Sequence, residues 1–282
     1  MAGAHRTWHY GLVARHWAEF NTANPDELAY FETAIRRFGE PALDLGCGTG
    51  RILIPLLKAG LDVDGSDVSA DMVDAARARV HELGLKARLN VGPNRELDLD
   101  RTYRTIFLCG VLGVGVGRDD DREALRRAHR HLEPGGAVLV DHLLPYSGED
   151  VDWWAHWLPG HRADLPEEWP ADGRRRRLGD GDDLELTSRV TRLDPLQQVI
   201  TMEMRARLWH DGRIAKEELY SIDCCMYFPQ EILSMLAEAG FTDLATETYA
   251  VTPATGDDTQ VVFIGRKASD VTPRGGNRRP AR

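Results

Sequence analysis

Lysine is nearly missing from this chain: Lys58, Lys86, Lys216 and Lys267 are four of its 35 basic residues, and arginine supplies the rest. So even a bias reads as coding preference rather than function. Cysteine is scarce too. Cys47, Cys109, Cys224 and Cys225 form no C-x-x-C pair and no disulfide-like framework, so a reducing cytoplasm is the expected setting. No apolar run approaches the roughly 20 residues of a membrane span, and the N-terminus lacks a signal-peptide core. A basic excess is absent as well: the net charge of −10 argues against nucleic acid or an anionic membrane as the main partner. No His/Cys/acid set has metal-ligand spacing, so no metal is expected. There is no internal repeat. What remains, 42% hydrophobic and 28% charged over 282 residues, suits an ordinary globular enzyme with a sizeable core.

Apolar periodicity organises that core. Pro25-Asp26-Glu27 opens a helix over 26–38, with Leu28, Phe31, Ile35 and Phe38 on one face. Strands are expected at Ala42–Leu45, Asp62–Gly65, Ala87–Val91, Thr105–Cys109 and Ala137–Leu143. Helices should alternate with them at Arg51–Ala59, Ala70–Leu83 and Asp119–Leu132, the second capped by Ser69. Such alternation implies a parallel sheet with right-handed crossovers. The pattern then changes. Residues 146–182 read as loop and short helix, including the arginine run Arg174–Arg177, and 183–226 as three antiparallel strands with Asp194-Pro195 and His210-Asp-Gly212 as turns. A helix at Pro229–Ala239 and strands at Thr246–Thr252 and Gln260–Gly265 return to the core. The divisions are therefore a helical lid segment (1–40), a core (41–145), an insertion (146–228), the end of the core (229–267) and a disordered tail (268–282).

The chemistry concentrates in Leu43-Asp-Leu-Gly-Cys-Gly-Thr-Gly50. A strand that ends in alternate glycines leaves main-chain N–H groups open to a ligand. Asp67 follows Gly46 by 21 positions, at the end of the second apolar segment, where an acid can grip the two hydroxyls of a ribose. The glycine spacing is G-x-G-x-G rather than the G-x-G-x-x-G of dinucleotide sites, and no lysine follows as in a P-loop.

Asp44-Leu-Gly-Cys-Gly-Thr-Gly50 resembles the first motif of class I S-adenosylmethionine-dependent methyltransferases. The resemblance runs on through Gly65-Ser-Asp67-Val-Ser-Ala-Asp-Met72 and Leu132-Glu-Pro-Gly-Gly136, and covers roughly residues 10–267. It implies an α/β fold: a Rossmann-like, seven-stranded, mostly parallel sheet with helices on both faces. The antiparallel insertion is similar to that of the small-molecule branch, including the aminosugar N-methyltransferases, where it roofs the substrate site. The implied cofactor is S-adenosylmethionine, with S-adenosylhomocysteine as product. Gly46, Cys47, Gly48 and Gly50 would meet its methionine part, Asp44 its ammonium side, Asp67 and Val68 the ribose, and Met72 an adenine face. Relatives often place an Asp after the third strand to bind adenine. Here Pro93 stands in its place, leaving Asn94, Arg95, Glu96 or a backbone carbonyl for that contact. Cys109 and Gly110 would line the methyl channel.

On the acceptor side, His142 follows Asp141 at the C-terminal end of the fifth strand, where α/β sheets place ligands, and is either a base or a hydrogen-bonded structural histidine. Tyr10 fits the tyrosine of an N-terminal lid, with Trp17 and Phe20 beneath it. Tyr146, Trp153 and Trp157, with Trp154, offer an aromatic wall for a ring or a cationic amine, or anchor the insertion. The resulting expectation is methyl transfer to N or O of a small molecule. An RNA or protein methyltransferase, or a non-catalytic subunit binding S-adenosylmethionine or S-adenosylhomocysteine, are the alternatives. Pairing of two copies as a homodimer is left open.

Overall fold

The computed structural model describes residues 7, 9–115, 117–145, 157–171 and 173–269. In chain order its elements begin with α1 (Gly11–Phe20), α2 (Pro25–Phe38), β1 (Ala42–Leu45), α3 (Leu53–Lys58), β2 (Val63–Asp67), α4 (Ala70–Glu82) and β3 (Leu89–Val91). Then come β4 (Tyr103–Cys109), α5 (Arg118–His131), β5 (Leu132–Leu143), β6 (Arg174–Arg177), β7 (Asp183–Asp194), β8 (Val199–His210) and β9 (Arg213–Cys225). The chain closes with α6 (Pro229–Glu238), β10 (Thr242–Glu247) and β11 (Gln260–Arg266). One sheet of seven strands has the order β10-β11-β5-β4-β1-β2-β3, and a second, of four, the order β6-β7-β8-β9. Only β11 runs against its neighbours in the first sheet, while the second is antiparallel throughout.

Strand alternation decides what the edge of the large sheet presents. Leu43, Leu45, Ile106, Leu108, Val138 and Val140 pack with α5 and α6. Ala42, Phe107, Ala137 and Leu139 pack with α2 and α3. Continuing the second row to the C-terminal ends of the strands gives Asp44, Cys109 and Asp141, beneath the start of α2. His142 falls on the opposite face. The start of α2 is fixed by a capping box, Asn24 accepting from Asp26 N at 2.9 Å and Glu27 reaching back to Asn24 N at 3.3 Å.

Several expectations are corrected. The arginine run is a strand, not a loop. β6 pairs with β7 so that Arg175 lies opposite Glu185 and Arg177 opposite Asp183, and charge pairing replaces the apolar alternation that marks most strands. The insertion sheet thus has four strands rather than three. The strand expected at 246–252 lies at 242–247: Gly240 ends the helix region, Phe241 turns inward, and Thr242 pairs at once with Arg266. Tyr249 to Val251 is a turn, with Val251 at φ 59°. β5 starts at Leu132, since Pro134-Gly-Gly136 forms a register irregularity inside the strand instead of a turn before it. β2 runs two residues further, to Asp67, and β3 begins only at Leu89. α1 is an additional helix whose residues give no clear helical start. Among the described residues no helix is long and apolar enough to cross a membrane. Tyr146, Trp153, Trp154 and most of the tail lie outside the described residues.

Candidate active site

The turn after β1 contains two kinds of glycine. A Cβ on Gly46 would stand 2.3 Å from Val111 Cγ2, and one on Gly50 2.8 Å from Ile54 Cδ1, so both permit close packing. A Cβ on Gly48 would meet nothing within 4 Å, and its φ is +52°. Gly48 therefore faces open space, where a ligand can reach the backbone. Cys47 turns the other way. Its side chain packs against Gly65, where an added Cβ would lie 2.8 Å from the thiol sulfur, so only its backbone faces the turn.

Asp67 brings β2 to this opening. Its carboxylate accepts from Gly48 N at 2.9 Å and from Ser69 N at 2.8 Å, and burial pushes its pKa above the usual carboxylate range. Val68 is half exposed just beyond it, and Met72 is buried one turn into α4. Asn94 stands in a short 3-10 turn after β3, and its side-chain oxygen is buried without a hydrogen-bond partner. A buried acceptor of this kind calls for a donor such as an exocyclic amine. Arg95 instead turns to Glu96 at 3.1 Å and Asp120 at 3.6 Å. An open backbone turn, a half-buried acid for a diol and an unsatisfied acceptor fit a nucleoside-bearing cofactor.

Beside the turn lies a buried polar network that spacing in the sequence does not reveal. Arg51 pairs with both oxygens of Glu27 and reaches Cys109 Sγ at 3.2 Å. The Cys109 thiol donates to Glu27 at 2.8 Å and lies 3.3 Å from Asp141, which accepts from Gln260 at 2.5 Å. Burial raises the thiol's pKa, as do the two carboxylates, so Cys109 is a neutral donor. Glu27, Cys109 and Asp141 offer three ligand-type atoms within 4.8 Å of one another, but Arg51 already supplies the cation there. Asp44, fully buried beside this network, is pushed up to about 8, chiefly by desolvation, with Arg51 opposing and Asp67 and Glu27 adding to the rise. A carboxyl held this way gains strongly from a cationic ligand.

His142 and Asp121 lie on the other face. The ring of His142 donates to the backbone carbonyl of Tyr227, and its Nε2 is buried without a partner. Burial lowers its pKa to about 4, so Nε2 is a free base at neutral pH. Asp121 fixes the loop between β4 and α5: it accepts from Gly113 N at 2.9 Å and from Tyr227 OH at 2.6 Å. That loop then joins the insertion, with Cys225 N donating to Gly113 O at 2.8 Å and Gly115 N to Asp223 O at 2.9 Å. Gly110, at φ +64°, has open space where a Cβ would be.

Tyr10 lies over β2's end, its hydroxyl donating to Val68 O at 3.3 Å, and the Ser69 hydroxyl donates to His9 O. Trp17 and Phe20 pack beside Leu12 and Val13 against the insertion sheet, and the Trp17 ring also lies 6.4 Å from that of His9. Trp157 is half-buried in a turn before a 3-10 helix. Sequence reasoning missed Glu27, Arg51 and Asp121 as site residues. Glu27 and Arg51 read as helix-start and helix-surface charges, and only the fold brings them onto Cys109.

Residues 42–136 match the family described as a methyltransferase domain. Over 144 residues the chain is 31% identical to the dTDP-3-amino-3,6-dideoxy-alpha-D-glucopyranose N,N-dimethyltransferase of Streptomyces fradiae, a match covering 49% of this chain and 51% of that protein. The chain spans about half the length of the curated relatives it matches, or less. Its fold is similar to that of the CcbJ methyltransferase from Streptomyces caelestis, with a TM-score of 0.69 at 21% identity over 94% of this chain and 99% of that one. It is also similar to S-adenosylmethionine-bound CalS10, an amino pentose methyltransferase from Micromonospora echinaspora, with a TM-score of 0.61 at 21% identity over 92% and 98% of the two chains. Residues 42–136 thus match a methyltransferase-domain family, and the chain shares the fold of these methyltransferase structures.

Proposed function

We propose that this protein transfers the methyl group of S-adenosylmethionine to a small molecule, with an amine favoured over a hydroxyl as acceptor. The observation that carries the reading is the junction of Asp67 with the open Gly48 turn. Asp67 accepts the ribose hydroxyls, Asn94 Oδ1 accepts from adenine, and Asp44 balances the ammonium. Bound S-adenosylmethionine supplies an electrophilic methyl on a sulfonium. The protein's own residues then position the acceptor, exclude water and take up its proton. His142 Nε2 is the proton acceptor, neutral at physiological pH and aimed by its bond to Tyr227. Tyr10 closes the cofactor's nucleoside end, and the four-stranded sheet roofs the acceptor. An amine is favoured because the S. fradiae relative is named for N-methylation of an amino sugar. The net charge of −10 supports a small molecule over nucleic acid, and the setting proposed is cytoplasmic.

The test is incubation with methyl-labelled S-adenosylmethionine and a panel of small amines, amino sugars and hydroxyl compounds. Label should appear in at least one amine, with S-adenosylhomocysteine in equal amount. Tight cofactor binding with no transfer to any panel member would favour the non-catalytic subunit.

A further inference from the structure

We propose that Asp71 and Glu218 are positioning residues that cap α1 from two different parts of the protein and latch it as a lid over the cofactor's nucleoside. The inference rests on the cofactor reading above. A helix N-terminus needs acceptors for its first N–H groups. α1 supplies none of its own: Tyr10 gives no side-chain cap, and the first turn holds no acid. Two remote carboxylates serve instead. Gly11 N donates to Asp71 Oδ2 at 2.7 Å, and Leu12 N to Glu218 Oε2 at 2.7 Å. Asp71 belongs to α4 of the large-sheet domain, and Glu218 to β9 of the insertion.

The fit is built into the backbone. Gly11 has φ +54°, and a Cβ there would lie 2.5 Å from Glu218 Oε2 and 2.6 Å from Tyr220 OH. Glu218 is itself held by Tyr220 OH at 2.7 Å and Lys216 Nζ at 2.6 Å. The body of α1 rides on the insertion. Leu12 and Val13 pack with Leu178, Leu184 and Ala206, Arg15 pairs with Asp180, and Gly179 N donates to Glu19 at 3.0 Å. Toward the large-sheet side three bonds gather at the helix start, Ser69 to His9, Tyr10 to Val68, and Gly11 to Asp71, and a longer one, Thr49 Oγ1 to Trp17 O at 3.5 Å, reaches the last turn. These sit directly after Asp67, across the way out for a nucleoside bound there. Glu218 is thus the anchor that keeps α1 helical on the insertion, and Asp71 one of the bonds at the helix start that break when the lid opens.

The test uses the full chain with S-adenosylhomocysteine, in wild-type form and as Asp71→Ala, Asp71→Asn, Glu218→Ala and Glu218→Gln. Stopped-flow displacement gives the release rate, and hydrogen exchange gives protection of residues 9–20. Each alanine variant should release the ligand about fivefold to tenfold faster, as loss of a helix cap implies, with faster exchange confined to residues 9–20. The amide variants, whose oxygens still accept, should recover part of the effect and remain informative should an alanine variant fold poorly. Normal binding with unchanged release and exchange would overturn the latch alone. Wild-type protein that binds no S-adenosylhomocysteine would overturn the cofactor reading, and the latch with it.

Discussion

In the seven-stranded sheet Leu45, Ile106, Phe107, Leu139 and Val140 are all fully buried, with apolar helices on both faces. In the four-stranded sheet apolar cover reaches one face, from Leu12 and Val13 of α1. The other face carries charge and stacking. Arg175 lies 3.4 Å above the centre of Trp209, and Arg189 and Arg205 hold Trp169 between them at 4.5 and 4.4 Å. The first sheet is fixed by dense packing, and its edge can present backbone groups rigidly to a cofactor. The second is tied to the first by packing of Val199, Cys225 and Tyr227 into the large-sheet core and by polar bonds, from Tyr227 OH to Asp121, between Gly113 and Cys225, and from Arg118 to Gln197 O and Gln198 Oε1.

Substitutions can break this division, and the largest effect belongs to the rigid half. Asp67→Ala should weaken S-adenosylmethionine binding roughly 10²–10³-fold, since hydrogen bonds to a charged group contribute about 1.5–3 kcal/mol each. Calorimetry checks it, and an unchanged affinity would move the ribose site elsewhere. His142→Ala should lower kcat roughly 10²-fold and leave cofactor affinity within about twofold. An equal loss of affinity would place His142 in the cofactor half. Asp121→Ala removes the acceptor for Gly113 N and Tyr227 OH, and should cost about 2–3 kcal/mol in denaturant unfolding. A negligible cost would show that the two halves are joined elsewhere.

The smallest effect is one of pH. The Asp44 carboxyl, held up at about 8, is protonated in the free protein below that pH. Its contribution to stability is present below the ordinary carboxylate range near 4 and is lost as pH rises through about 8. A cofactor ammonium beside it favours the ionised form. Binding should therefore release a proton, and affinity should rise by about fivefold between pH 7 and pH 8 and then level. Titrations in buffers of different ionisation enthalpy measure the proton directly.

The same division governs what could be read beforehand. The β1 turn, Asp67 and the strand–helix alternation are local patterns, so the large sheet was legible in outline, with errors confined to strand ends such as Thr242 and Leu89. The insertion was legible only as alternation in β7 to β9, because β6 is an all-arginine strand whose partners, Glu185 and Asp183, lie across a turn. Glu27, Arg51 and Cys109 are far apart in sequence, and no spacing rule predicts that a buried thiol will sit between two carboxylates and a guanidinium. α1 escaped notice for a related reason: its capping groups, Asp71 and Glu218, are not its sequence neighbours.

The most direct measurement is calorimetric titration of the wild-type protein with S-adenosylmethionine and with S-adenosylhomocysteine. Saturable binding of both at one site per chain is the expected result. Folded protein that takes up neither, yet binds a nicotinamide dinucleotide, would contradict it.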